Sequence, residues 1–308
     1  MGIQHVVSAT DLSALTLQKL FWRANNLNKK DTYTQLSGKV VALMFSEPST
    51  RTLLSFNAAV QRLGGRTMVT TDAKSFSSEA KGESPEDTMR VISGYADCII
   101  LRDTEEGAAA RAAKASLVPV INAGDGSNEH PTQAYLDLFT IWKAQREGRL
   151  NDTLRIVFHG DNRHSRTVRS LALLLAEYGK ELRITITSVV FSGVPFYRDP
   201  PPDIISACMR NGIDIETDVG VLGKDADVVY VTRPQIERHG NAVVGSAKFI
   251  VTPEEVSALP EKAIIMHPLP RIHEIPTSVD ADPRAYYFQQ AQNGLYVRMA
   301  LLEHILCH

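Results

Sequence analysis

The feature that most constrains this chain is the stretch 40–63, where an apolar run passes through a short polar turn into an amphipathic segment. Residues 40–45 read Val-Val-Ala-Leu-Met-Phe, and the turn that follows carries Ser49-Thr50-Arg51-Thr52. Beyond the turn, apolar residues recur at the spacing of one helical face, at Phe56, Ala59, Val60 and Leu63. The pattern predicts a strand that leads into a helix, and Gly64-Gly65 ends that helix.

The start of this helix is a candidate anion site. A helix begins with about four N–H groups that lack intrahelical partners, and its dipole adds roughly half a positive charge there. Three hydroxyls and the Arg51 guanidinium add donors suited to phosphoryl oxygens. The alternative is an ordinary Ser/Thr cap beside a solvated arginine. The position directly after a strand favours the anion site.

Composition excludes several classes of protein. The 308 residues, 44% of them hydrophobic, are enough for two globular domains, and a formal charge of −2 offers no basic excess for nucleic acid. Cys98, Cys208 and Cys307 are far apart and in no metal-ligand spacing, so we expect reduced thiols. No apolar run approaches the ~20 residues of a membrane helix. We expect a cytoplasmic protein that binds neither nucleic acid nor membrane.

Apolar runs alternate with helical patterns along the rest of the chain. The predicted strands are 67–71, 97–102, 117–122, 153–158, 182–190, near 213–216, and two that begin near 227 and 263. Predicted helices lie between them, including 105–115, one that begins at Pro131, and 168–178. A polar stretch around 145–152 separates two halves with the same rhythm. Strands alternating with helices predict an α/β protein of two domains, each a mostly parallel sheet flanked by helices.

Arginines stand where four of the predicted strands end. Parallel sheets bind ligands at the carboxyl ends of their strands, so Arg51, Arg102, Arg166 and Arg233 suggest a cleft for two anionic ligands. His130, just before a predicted helix, shares that edge and is a candidate catalytic residue, the alternative being a cap or surface histidine. The patterns G-x-G-x-x-G, G-x-x-x-x-G-K-[ST] and G-x-S-x-G are absent from these turns, which argues against nicotinamide, ATP and esterase chemistry.

Motifs along nearly the whole chain resemble those of catalytic chains in the aspartate carbamoyltransferase family, part of the aspartate/ornithine carbamoyltransferase superfamily. In order they are Ser49-Thr-Arg-Thr52, Ser77 with Lys81-Gly-Glu83, Asn122-Ala-Gly-Asp-Gly126, His130-Pro-Thr-Gln133, Arg166-Thr-Val168, Thr232-Arg-Pro-Gln235, His267-Pro-Leu-Pro270, and Tyr287-Phe-Gln-Gln290 with Asn293-Gly294. Together, in order and at matching separations, these motifs are highly specific. The resemblance implies transfer of the carbamoyl group of carbamoyl phosphate to the amine of L-aspartate, the committed step of pyrimidine synthesis.

The resemblance also implies roles for individual residues. Carbamoyl phosphate would be bound by Ser49, Thr50, Arg51, Thr52, Arg102, His130 and Gln133. Of these, the catalytic residues would be Arg51, Thr52, Arg102 and His130. Aspartate would be bound by Arg166, Arg233, Gln235 and the backbone of Pro268 and Leu269. A neighbouring subunit of a homotrimer would donate Ser77 and Lys81.

The domain bounds that the resemblance implies are 1–135 with 289–308 for carbamoyl phosphate and 136–288 for aspartate. The C-terminal helix would then pack back on the first domain, and its apolar side from Phe288 to Ile305 agrees with docking on a core. Neither a metal nor an organic cofactor is implied. Whether regulatory chains bind the trimer is left open.

Four single residues depart from the usual family pattern, and so does the segment Asn162-Arg163-His164, which stands where a Leu-Lys segment is more typical. Leu53, Asn57, Asp103 and Ser165 replace residue types that are more common there, and Asp103 could pair with Arg102. Two alternatives therefore stay open. One is a carbamoyltransferase for another amine such as ornithine, although that family uses Cys where Pro268 stands. The other is a catalytically inactive homologue that binds metabolites.

Overall fold

The computed structural model describes residues 3–71, 83–193, 195–218, 222–233 and 250–307. The chain divides into two compact units. Unit 1 comprises Met1–Tyr135 and Asn293–His308, and unit 2 comprises Leu136–Gln292. The assignment of one unit to carbamoyl phosphate and the other to aspartate stays a prediction at this point.

Unit 1 is built on a parallel sheet with the strand order β2-β1-β3-β4. Its strands are β1 (Val40–Phe45), β2 (Arg66–Thr71), β3 (Cys98–Asp103) and β4 (Val120–Asp125). The helices that precede or connect them are α1 (Ala14–Asn25), α2 (Thr50–Arg62), α3 (Pro85–Ser93) and α4 (Ala108–Ala115). The chain leaves β1 towards β2 on one side and returns to β3 on the other, which opens a crevice at the carboxyl ends of β1 and β3.

Unit 2 repeats this arrangement in a parallel sheet with the order β7-β6-β5-β8-β9. Its strands are β5 (Thr153–His159), β6 (Thr185–Ser192), β7 (Asp214–Asp218), β8 (Val228–Val231) and β9 (Ile264–Met266). The remaining helices are α5 (Pro131–Arg146), α6 (Arg166–Tyr178), α7 (Pro195–Arg198), α8 (Pro202–Arg210), α9 (Pro253–Ala258), a 3₁₀ turn (Thr277–Val279) and α10 (Tyr287–Leu306). Here the strand order reverses beside β5, so the crevice lies between the ends of β5 and β8.

Two parallel sheets flanked by helices confirm the predicted fold class. Strands β1, β3, β4 and β8 are buried along nearly their whole length, as expected for parallel sheets covered on both faces. From Asn293 onwards α10 belongs to unit 1, which confirms that the C-terminal helix packs on the first domain. Within the described ranges, no helix has both the length and the apolar character that a membrane crossing requires.

Several element bounds differ from the predicted ones for physical reasons. Helix α4 begins three residues after the predicted position 105, because Gly107 precedes it in the left-handed region with φ 75°. Strand β4 runs to Asp125 instead of stopping at residue 122, because Asn122 donates from its backbone N–H to Val6 and from its side chain to Asp125. The sequence also predicts a mobile loop at 239–245, between the last two predicted strands, and this stretch lies outside the described residues.

Helix α5 is more deeply buried than its periodicity indicates. The sequence predicts one buried stripe, at Tyr135, Leu138, Phe139 and Trp142. In the structure every residue from 131 to 142 is buried. Polar members of the helix are satisfied inside the protein, since Asp137 accepts hydrogen bonds from Tyr230 and Gln290. Because a buried helix face can include hydrogen-bonded polar residues of this kind, the spacing of apolar residues alone underestimates how much of the helix is buried.

Candidate active site

The carboxyl end of β1 leads directly into the N-terminus of helix α2. Ser49 stands at the N-cap of α2, and among the described residues its side chain receives no capping hydrogen bond. The first turn of α2 contains no acidic residue. Helix α9 differs, because Thr252 and Glu255 form a capping box at its N-terminus. The N-terminus of α2 therefore keeps its positive potential and donor capacity.

Arg51 and Thr52 lie in this first turn. Thr52 is buried, whereas Arg51 is exposed, and none of the described carboxylates forms an ion pair with it. A guanidinium beside open helix N–H groups is a suitable arrangement for a phosphate, which accepts bidentate hydrogen bonds.

Arg102 lies on the neighbouring strand at the same edge. The backbone N–H of Ser46 donates to the Arg102 carbonyl at 2.8 Å, which joins the end of β1 to β3. The buried Arg102 guanidinium donates to the Ala123 carbonyl at 2.9 Å and pairs with the Glu47 carboxylate at 3.1 Å. Both contacts fix the guanidinium at the switch point of the sheet. Glu47 was not among the predicted site residues. Its position two residues before Ser49, in the same turn, could have indicated that it lies near the site.

His130 and Gln133 follow β4 at the start of α5. His130 is buried directly before Pro131, and its carbonyl accepts the backbone N–H of Gln133 at 3.0 Å. The loop that leads to His130 is ordered by Asp125, which accepts hydrogen bonds from the side chain of Asn122 and the backbone of Gly107. The ends of β1, β3 and β4 thus bring the predicted residues of the carbamoyl phosphate half to one edge of one sheet.

Unit 2 has its crevice at the ends of β5 and β8. The backbone N–H of Thr232 donates to the His159 carbonyl at 2.8 Å, which joins the two strands as Ser46 and Arg102 do in unit 1. Gly160 follows with φ +124°, and a Cβ there would lie 2.2 Å from the Thr232 carbonyl oxygen. Only glycine fits this close approach, so the residue shapes the crevice.

Arg166 is the first residue of α6 and is buried. The side chain of Ser165 caps this helix by accepting the Val168 N–H. A cation at the positive end of a helix is electrostatically unfavourable, and the cost is about 0.3–1 kcal/mol at exposed positions. Because the position of Arg166 does not stabilise the helix, it favours a functional role for this residue.

The remaining residues predicted for the aspartate half follow β8 and β9. Arg233 lies two residues after β8 and is half-buried. Pro268 and Leu269 follow β9 and are also half-buried, and Leu269 has a positive φ of 54°. Such a conformation costs a non-glycine residue about 1–3 kcal/mol and often marks functional sites. The other predicted residues, Gln235, Ser77 and Lys81, lie outside the described residues.

Two family models match the chain. The model for the carbamoyl-P binding domain of aspartate/ornithine carbamoyltransferase matches residues 4–143, and the model for the Asp/Orn binding domain matches residues 152–305. The chain belongs to the aspartate/ornithine carbamoyltransferase family.

Several members of this family with high similarity are named as aspartate carbamoyltransferases. The chloroplastic enzyme of Oryza sativa is 46% identical over 277 residues, which cover 88% of this chain and 74% of the relative. The catalytic subunit of M. jannaschii aspartate transcarbamoylase has a TM-score of 0.85 and 41% identity, with 98% of each chain covered. Aspartate transcarbamoylase from Trypanosoma cruzi, in complex with carbamoyl phosphate and aspartate, has a TM-score of 0.87 and 32% identity, covering 98% of this chain and 95% of that one.

The departures from the usual family pattern have local structural roles. Asn57 accepts hydrogen bonds from Gln61 and from the Thr67 hydroxyl, both at 2.9 Å, and so joins α2 to β2. Asp103 accepts the backbone N–H of Glu105 at 2.8 Å. Ser165 caps α6 at a negative φ of −79°, a conformation that does not require glycine. Nothing in the structure explains Leu53.

Proposed function

We propose that the protein transfers the carbamoyl group of carbamoyl phosphate to the amine of L-aspartate and releases N-carbamoyl-L-aspartate and phosphate. The observation that carries the proposal is that this family member has two parallel sheets, each with arginines at its switch point. One switch point adds an uncapped helix N-terminus suited to phosphate, and the other adds guanidinium groups suited to carboxylates. This reaction belongs to pyrimidine synthesis.

Carbamoyl phosphate would occupy the edge of unit 1. Ser49, Thr50, Arg51 and Thr52 would bind its phosphate, and Arg102, His130 and Gln133 its carbamoyl group. Attack on the carbonyl carbon places negative charge on its oxygen, and donors fixed in advance stabilise that charge. Thr52, Arg102 and His130 are suited to this role because each is buried at the edge of the sheet.

L-Aspartate would occupy the edge of unit 2. Arg166 and Arg233 would bind its two carboxylates, together with Gln235, while the backbone of Pro268 and Leu269 lines the site. The amine nitrogen then forms a bond to the carbonyl carbon, the bond from that carbon to the phosphate oxygen breaks, and phosphate leaves with the electron pair. The proton lost by the amine passes to the departing phosphate or to His130.

A direct assay tests the reaction. Purified protein is given carbamoyl phosphate with L-aspartate, L-ornithine or other amines, and carbamoylated product and phosphate are measured. We expect turnover with L-aspartate. Turnover with L-ornithine but not with L-aspartate would identify ornithine as the acceptor. Binding of carbamoyl phosphate without turnover on any amine would indicate a catalytically inactive homologue. Near-normal turnover of His130→Ala would remove this histidine from the mechanism.

The proposal extends to a cytoplasmic homotrimer whose sites are shared between subunits, with Ser77 and Lys81 supplied by the neighbour. This part is supported by the family's motif at these positions. Mixing a Lys81→Ala chain with an Arg51→Ala chain checks it, since some mixed sites would contain neither substitution. Restored activity is expected, and none in an assembled mixture would refute shared sites.

A further inference from the structure

The loop after β9 is held by a chain of buried hydrogen bonds that the catalytic assignments do not use. The His267 backbone N–H donates to Gln290 Oε1 at 2.7 Å, and Gln290 Nε2 donates to Asp137 Oδ1 at 2.6 Å. Tyr230 donates its hydroxyl proton to the other Asp137 oxygen at 2.7 Å. All these residues lie in unit 2, and each is buried. This series of hydrogen bonds therefore anchors His267 to helix α5 and strand β8.

The imidazole of His267 makes two further contacts. Its Nε2 lies 2.8 Å from Glu274 Oε1, and its Nδ1 lies 2.7 Å from the backbone nitrogen of Leu269. Because the Leu269 N–H can only donate, Nδ1 must accept and carries no proton. The ring is therefore neutral, with its proton on Nε2 and directed at the Glu274 carboxylate.

Glu274 is in turn fixed by the loop itself. Its second oxygen accepts the backbone N–H groups of Ile272 and His273, both at 3.0 Å. Burial alone would raise the pKa of Glu274, but the hydrogen bond from His267 and backbone hydrogen bonds, including the one from the Ile272 N–H, lower it well below its usual value. The carboxylate thus stays charged over the working pH range and holds one tautomer of His267.

The loop held in this way contains Pro268 and Leu269. Leu269, whose backbone N–H donates to His267 Nδ1, has a left-handed φ of 54°. A non-glycine residue keeps such a backbone only when its surroundings over-determine it. The hydrogen bond to Nδ1 is one such constraint.

We propose that His267 and Glu274 are positioning residues for the amino-acid substrate: the neutral imidazole, oriented by the carboxylate, sets the backbone of Pro268 and Leu269. The proposal rests on the assignment of that backbone to the aspartate site. Both side chains are buried, so they would act on aspartate through the backbone that they hold. Their effect should fall on the binding and orientation of aspartate and not on carbamoyl phosphate.

Two substitutions at His267 separate positioning from general stability. The oxygen of Asn can replace Nδ1 as acceptor for Leu269, whereas the amide of Gln can replace Nε2 as donor to Glu274. Positioning predicts that His267→Gln raises the KM for aspartate by up to about 10²-fold, and that His267→Asn raises it less. The KM for carbamoyl phosphate should not change in either variant. A purely structural role predicts the same aspartate KM in both variants, and that result would overturn the proposal.

Glu274→Gln tests the second member of the pair. Its amide keeps the size of the side chain but cannot accept all three hydrogen bonds, so we expect a raised aspartate KM with little change for carbamoyl phosphate. The matched control is Glu261→Gln, an exposed glutamate in the same unit, which should behave as wild type. Thermal unfolding of all variants reports folding separately. A folded Glu274→Gln protein with wild-type aspartate KM would refute the proposal.

Leu269→Gly distinguishes failure of this inference from failure of the site assignment. Glycine adopts positive φ freely and loosens the same backbone. If Leu269→Gly raises the aspartate KM and the His267 and Glu274 variants do not, only the positioning role is wrong. If none of these variants changes it while the wild type is active, the backbone of Pro268 and Leu269 does not line the aspartate site.

Discussion

Helices α2 and α6, which follow strands β1 and β5, have similar first residues but differ in how their N-termini are capped. Both follow a strand at a switch point, both have serine at the N-cap, and both have arginine in the first turn. In α6 the hydroxyl of Ser165 satisfies the Val168 N–H, and Arg166 is buried. In α2 the side chain of Ser49 makes no such bond within the described structure, and Arg51 is exposed.

Under the proposed function, this difference suits each helix to a different kind of anion. The open N-terminus of α2 can offer several backbone N–H groups to one compact phosphate. The capped N-terminus of α6 offers fewer, so anion binding there depends on guanidinium side chains, whose geometry matches carboxylates. A strand-turn-helix unit can therefore be suited to a phosphate or to a carboxylate, depending on whether the N-cap side chain already accepts a helix N–H.

Removal of the α2 arginine should have the largest effect. In Arg51→Ala, the phosphate loses its guanidinium donor, and we expect kcat/KM for carbamoyl phosphate to fall by about 10²–10³-fold. Arg62→Ala on the same helix is the control, because Arg62 is exposed and donates to the Lys29 carbonyl. Steady-state kinetics with each substrate varied measures both. A loss below tenfold would contradict a phosphate site at this helix.

The equivalent change in α6 should act on the other substrate. Arg166→Ala removes charge-assisted hydrogen bonds, each worth about 1.5–3 kcal/mol, so the KM for aspartate should rise by about 10–10²-fold. Arg169→Ala is the matched control, since Arg169 lies one turn away and pairs with Asp203. Calorimetric binding of carbamoyl phosphate should be unaffected by either change. Weakened binding there would break the division of roles between the two helices.

The strands before these helices differ too, since β1 ends on Phe45 and β5 ends on His159. Burial lowers the pKa of His159 to about 4, from 6.5 in the unfolded chain. As the pH falls from 6.5 towards 4, the unfolded state takes up the proton first, so stability decreases by about 1.4 kcal/mol per pH unit.

The pH dependence can be tested by substitution. His159→Gln should flatten the loss of melting temperature between pH 6.5 and 4.5, whereas His273→Gln, at an exposed histidine, should not. An unchanged slope in His159→Gln would show that another group causes the acid sensitivity.

The two serine caps should give the smallest and most specific effects. Ser165→Ala removes the hydrogen bond that the Ser165 hydroxyl accepts from the Val168 N–H. We expect the free energy of unfolding to fall by about 1 kcal/mol. Ser49→Ala removes no such cap, so stability should hold while the KM for carbamoyl phosphate rises. Denaturant unfolding and steady-state kinetics on both variants check this. Equal stability losses in the two variants would mean that the caps do not differ in solution.

Much of the fold was predictable because it depends on local pattern. Apolar runs such as 40–45 and the helix start at Pro131 depend on neighbouring residues, and the structure has a strand or a helix at each. The bounds of β4 and the burial of α5 were not predictable, because they depend on partners distant in sequence. Val6 pairs with β4, and Asp137 meets Gln290, 153 residues away.

The sequence by itself determined the order of strands and helices, the motifs at the strand ends and the family to which they belong, since these follow from residue type and spacing. Only the tertiary structure decided that Glu47 pairs with Arg102, that Ser165 caps its helix while Ser49 leaves its own open, and that Glu274 holds His267. The physical reason is that a hydrogen bond or ion pair depends on distances of a few ångströms. Spacing along the chain does not set those distances, whereas strand pairing and burial do.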